Sequence, residues 1–113
     1  MKNFMLLLRE EIEETQKLPP QEFQELVAAH MNWVQELTEK GIFKGGEGLE
    51  YEGKTIKNAT RVVSDGPFIE TKECVGGYYI IQAADIDAAV EIAKNCPCIK
   101  YPGSIEVRAV SVY

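Results

Sequence analysis

One histidine stands in the whole chain, His30, near the centre of an apolar stripe. Imidazole changes charge close to neutrality, so a histidine facing a cavity beside a carboxylate can move protons. The carboxylate would orient the ring and raise its pKa. The same histidine, hydrogen-bonded to a carbonyl or carboxylate, would equally serve as an ordinary core residue. Asp65 opens the segment Asp65-Gly66-Pro67-Phe68. Its side chain can close an Asx-turn on backbone N–H groups, or work as a general acid/base or ligand contact. Glu70, Lys72 and Glu73 follow on an extended stretch in which Glu70 and Lys72 share one face. They form either an exposed edge of paired charges or a polar rim where Lys72 holds an anionic group. Arg108 offers the same choice, and Glu73 reads as exposed edge.

Other chemistries are not supported. Cys96-Pro97-Cys98 is a close pair of thiols, but a metal site needs further N or S ligands, and only His30 and Cys74 are left to supply them. The spacing is not that of a thioredoxin-type motif, so the pair reads as structural and no metal is expected. Gly45 to Gly48 lacks the lysine and hydroxyl of a phosphate loop and does not lead into a helix. No nucleophile elbow is present. No bound organic cofactor is implied.

The composition narrows the class. The 113 residues carry a net charge of -6, which argues against nucleic acid or an anionic membrane as partner. Part of that charge is the run Glu10, Glu11, Glu13 and Glu14, which reads as a solvated loop or helix face. The N-terminal apolar run is too short for a signal peptide's core or a membrane span. Three cysteines without a disulfide-framework spacing suit a reducing cytoplasm.

The elements that must position these residues follow from periodicity. Phe4 to Leu8 is apolar at every position and predicts a strand buried on both faces. A polar stretch then runs to Pro19-Pro20. A helix from Pro20 to Lys40 carries Phe23, Leu26, Val27, Trp33, Val34 and Leu37 on one stripe and stops at Gly41. Ile42-Phe43-Lys44 and the glycine-rich Gly45 to Leu49 after it predict a strand with bulges. Thr55–Ile56 and Arg61–Ser64 predict a short second β region, and Ile69 to Glu73 an extended segment. Tyr78 to Ile81 is another strand apolar on both faces. Asp85 caps a second helix that ends before Pro97. Ser104 to Val112 alternates, with Ile105, Val107 and Ala109 opposite Glu106 and Arg108.

The order β-α-β-β-α-β, with a β excursion in the middle, is the ferredoxin-like arrangement of an α+β domain. Its two central strands are the two that read as apolar on both faces. Both helices cover one sheet face. The other, lined by Phe4, Leu6 and Leu8 or their alternates with Tyr78 or Tyr79, is too apolar to stay bare. A homodimer through this face, forming a dimeric α+β barrel, is the expectation.

Asp65-Gly66-Pro67-Phe68-Ile69-Glu70-Thr71-Lys72-Glu73, followed by Gly76-Gly77-Tyr78-Tyr79, resembles the signature of the DGPF branch of the YCII-related family. Met1 to Leu8, Gly45 to Leu49 and Ser104 to Arg108 are similar to that family's first strand, post-helix segment and final strand. The resemblance covers most of the chain and implies the same dimeric barrel. It also implies a catalytic role for His30, which lies eleven residues before Gly41, as in the YCII branch. The aspartate that branch places in an Asp-Pro pair is replaced here by Cys96 of Cys96-Pro97, which leaves Asp65 as the better carboxylate partner.

Two functions fit. In one, a cofactor-free enzyme takes a small, mostly apolar molecule into its cavity. His30 moves a proton, Asp65 orients it or acts as the acid, and Lys72, Arg108 or Glu70 contact the substrate. In the other, the family's association with sigma factors implies a non-catalytic ligand-sensing or protein-interaction module in transcriptional regulation.

Overall fold

A computed structural model describes residues 1–66 and 73–113. Pro67 to Lys72, and with them Glu70 and Lys72, lie outside the described residues. In chain order the elements are β1 (Lys2–Glu11), α1 (Ile12–Gln16), α2 (Pro20–Glu39), β2 (Phe43–Gly48), β3 (Lys54–Ile56) and β4 (Val63–Asp65). They continue with β5 (Glu73–Ala83), α3 (Ile86–Ala93), a 3₁₀ turn (Pro97–Lys100) and β6 (Gly103–Ala109).

The main sheet has the order β2-β5-β1-β6, and all its neighbours are antiparallel. With β3 and β4 set aside as a separate hairpin, this is the ferredoxin-like arrangement. The most apolar strands, β1 and β5, occupy the centre, as their sequences require. Pairings such as Phe4 with Ile81 and Ala109, and Leu6 with Tyr79 and Val107, define the face under the helices. Phe4, Leu6 and Ile81 are buried there with Trp33, Leu37, Ala89 and Cys96. Fully burying one large apolar side chain of this kind stabilises the fold by about 1.5–3 kcal/mol.

The helix ends follow local chemistry. Pro20 begins α2, where its missing N–H costs nothing. At the other end Gly41 adopts φ +75°, the Gly41 amide donates to the Thr38 carbonyl, and the Ile42 amide donates to the Leu37 carbonyl. That pair of bonds is a Schellman termination, which favours glycine at this position. The Asp85 carboxylate accepts from the Ala88 amide at 2.8 Å and caps α3.

Several expectations change. The segment after β1 contains α1, a short helix that takes in Glu13 and Glu14 of the acidic run, the helical one of the two readings of that stretch. The strand expected from Tyr78 begins at Glu73, so Gly76-Gly77 lies inside it. Met5 and Leu7 are only half-buried within one chain. They pair with Ile80 and Tyr78 on the sheet face away from the core helices.

Candidate functional site

The stripe on α2 divides. Trp33 and Leu37, toward its C-terminal end, are buried in the core, but Phe23 and Val27 are not. The N-terminal half stands off the sheet, and the gap holds two adjoining cavities of about 130 Å³ and 510 Å³. Leu8, Glu10, Thr15, Leu26, His30 and Gly76 line both, so the two form one cleft. Leu8 and Leu26 make part of the wall apolar, and Glu10 and His30 are the titratable groups that border both cavities.

His30 is half-buried, and its Nδ1 lies 2.6 Å from the Tyr79 phenol oxygen. The two rings stack, with centroids 5.9 Å apart, and the Trp33 ring meets Tyr79 edge-on. Burial pushes the His30 pKa below its ordinary value, which corrects the rise expected from a neighbouring carboxylate. Burial also raises the Tyr79 pKa, reinforced by the charge of the nearby Cys96 and Cys98 thiols. Both partners are therefore neutral at pH 7. A phenol is a stronger donor than a neutral imidazole, so Tyr79 donates to Nδ1 and the ring proton sits on Nε2. Among the described residues Nε2 has no hydrogen-bond partner, and no buried side-chain nitrogen or oxygen lacks one. Nε2 is accordingly open to solvent from a ring that lines the cleft.

Three glutamates line the cleft among the described residues, Glu10, Glu47 and Glu50, and the one that borders both cavities is Glu10. It is only half-exposed, which corrects its reading as part of a solvated acidic run. Side chains alternate along a strand, so Phe4, Leu6, Leu8 and Glu10 of β1 share one face. The register shift against β5 falls between Leu8 and Arg9, with Leu8 opposite Gly77 and Arg9 opposite Val75. The extra residue is thus Gly76 of β5, and β1 keeps its alternation. A Cβ at Gly76 would meet the Glu10 carboxylate, so a larger residue there would push that flexible side chain aside. The Thr15 hydroxyl donates to Glu10 at 3.4 Å, and the Tyr51 phenol lies near both. Burial, then the Glu10 charge, raise the Tyr51 pKa to about 12.

The remaining sequence-derived residues lie elsewhere. Asp65 ends the small hairpin, where its side chain is 89% exposed and bonded to Lys54 at 2.8 Å. Arg108 lies on the open sheet face, with Glu106 3.8 Å away. Glu70 and Lys72 fall outside the described residues. Cys98 lines the smaller cavity, with the fully buried Cys96 behind it. Glu10, Tyr51 and Tyr79 were not singled out from the sequence as site residues. Continuing the alternation past Leu8 would have found Glu10, whereas no local signal marks Tyr51.

Among the described residues no group of three or more His, Cys, Asp or Glu side chains converges on a point that could hold a metal ion. None of the described helices is long and apolar enough to cross a membrane.

The architecture and the sequence both have counterparts among known proteins. The solved structure of 5-chloro-2-hydroxyhydroquinone dehydrochlorinase from Burkholderia phenoliruptrix, in complex with 2,5-dihydroxybenzoquinone, superposes with a TM-score of 0.50. At 19% identity, over 97% of this chain and 95% of that one, the likeness is one of fold. An uncharacterized protein of Rhizobium meliloti is 42% identical over 53 residues, a stretch that spans 46% of this chain and 43% of that protein. The model of the YCII-related domain matches residues 3–113, nearly the whole length, and the chain belongs to the YCII-related domain family.

Proposed function

We propose that the cleft between α2 and the sheet binds a small, flat, largely apolar organic molecule carrying a hydroxyl or carbonyl group, and that His30 and Glu10 move a proton on it. The observation that carries this reading is the Tyr79–His30 hydrogen bond of 2.6 Å, which holds Nδ1 and leaves Nε2 without a partner among the described residues, on a ring that lines the cleft. In this state Nε2–H donates to a substrate oxygen as negative charge develops there. Glu10, on the strand side, accepts the proton that leaves. The Tyr79 phenol keeps hold of Nδ1, and a proton given up at Nε2 is replaced from solvent. The carboxylate role given to Asp65 from sequence passes here to Glu10.

The first probe is 5-chloro-2-hydroxyhydroquinone, the compound named for the dehydrochlorinase that shares the fold, used without oxygen. Its addition is expected to shift the His30 ring resonances saturably and to be followed by chemical change of the probe. Glu10→Gln and His30→Asn should each slow that change by about 10²-fold or more, the usual contribution of a general acid or base. Binding without chemical change would favour the ligand-sensing module instead. Resonances that ignore this compound and related hydroquinones would overturn the assignment of the cleft.

A further inference from the structure

The Sγ atoms of Cys96 and Cys98 are 3.2 Å apart, and both thiols are free. A disulfide needs about 2.05 Å, so an approach of roughly 1 Å would join them. Their settings differ. Cys96 is fully buried, whereas Cys98 is partly exposed and lines the smaller cavity beside His30. Hydrogen bonding from the Cys96 thiol lowers the Cys98 pKa, and that same bond, with burial, raises that of Cys96. Of the two thiols, Cys98 is therefore the readier to ionise.

We propose that Cys98 is a peroxidatic thiol, oxidised by small hydroperoxides that enter the cleft, and that Cys96 resolves the product as an intrachain disulfide. In the first step the Cys98 thiolate attacks the terminal peroxide oxygen. The S–O bond forms, the O–O bond breaks, and the departing alkoxide takes a proton and leaves as the alcohol. Sulfur loses two electrons and the peroxide gains them. In the second step the Cys96 sulfur attacks Cys98 Sγ, the S–S bond forms, the S–O bond breaks, and hydroxide leaves as water with the Cys96 proton. Two thiols and one hydroperoxide thus give one disulfide, one alcohol and one water. Cys96 is fully buried with its Sγ 3.2 Å from that of Cys98, which favours the intrachain bond. This chemistry is independent of any turnover at His30.

The test treats the full chain with one equivalent of hydrogen peroxide and maps tryptic peptides by mass. Lys94 and Lys100 flank the pair, so both cysteines fall in one peptide. That peptide should lose the mass of two hydrogens at least tenfold faster than Cys74, buried in β5, is oxidised. In Cys96→Ser a sulfenic acid at Cys98 should be trapped by dimedone, and in Cys98→Ser the peptide should stay unmodified. In the wild type the His30 ring resonances should shift on oxidation and return with dithiothreitol. Oxidation of Cys74 at an equal rate, trapping at Cys96 in Cys98→Ser, or a disulfide between two chains would overturn the proposal. Should a variant fail to fold, the wild-type peptide mass still decides.

Discussion

The Tyr79 hydroxyl and the His30 Nδ1 are 2.6 Å apart across the junction of β5 and α2, and the residues that hold them are otherwise apolar. The bond ties the imidazole to the central part of the sheet. A histidine that would otherwise swing with its helix side chain is held at one ring nitrogen and left usable at the other.

The pH response of this pair is the first consequence. His30 has a native pKa below 6.5, so below pH 6.5 the unfolded chain binds a proton that the folded chain does not. Its contribution to stability is complete above pH 6.5, declines as pH falls below that value, and levels off beneath the lower native pKa. Tyr79→Phe removes the donor to the neutral ring and should raise the His30 pKa at a cost of about 1 kcal/mol. Histidine resonances followed through an acid titration, with urea melts at each pH, test both. A His30 pKa that stays put in the variant would remove Tyr79 from the site.

Glu10 and Asp65 should behave differently. Glu10→Gln removes a charge from beside Tyr51, so the Tyr51 pKa should fall from about 12 toward, but not to, its ordinary value, because burial remains. Ultraviolet titration of the phenolate reads this directly. Asp65→Asn breaks only an exposed pair with Lys54, of the kind worth about 0–1 kcal/mol, and should leave His30 unmoved. A His30 shift in Asp65→Asn would restore the pairing expected from the sequence.

The alternation of hydrophobic residues made much of the fold legible. The apolar runs at Phe4–Leu8 and Tyr78–Ile81 place β1 and β5 in the centre, and Gly41 and Asp85 mark helix ends by local hydrogen bonding. The site was less legible because its residues resemble something else. Glu10 sits among glutamates that face water, and Tyr79 sits in a strand that reads as simple core. Phe23 and Val27 fit a helical stripe perfectly well, but a stripe does not say whether it covers a sheet or the mouth of a cleft. Tyr51 reaches Glu10 from a loop, and loop paths are not written in periodicity.

Core damage should be graded by burial. Leu6 is fully buried in the central strand, and Leu6→Ala should destabilise by about 2–5 kcal/mol through lost transfer energy and a residual cavity. Urea denaturation with an unchanged m-value is the expected record. A cost below 1 kcal/mol would mean that the strand repacks around the gap.

A second copy of the chain is proposed to cover the sheet face bearing Met5, Leu7, Tyr78 and Ile80. Leu7→Lys places a charge in the middle of that face and should convert a dimer into a monomer in sedimentation velocity, with the His30 environment retained. A wild-type chain that sediments as a monomer at every concentration would rule the dimer out.

The bulge at Gly76 has a further meaning. Because the additional residue lies in β5, the inward parity of β1 runs unbroken from Phe4 to Glu10. The carboxylate is thereby mounted on a strand hydrogen-bonded along both edges, and only the opposing strand absorbs the irregularity. Loops around the cleft can change in length or composition without displacing the acid from its bearing, so the position of Glu10 is as durable as the core itself.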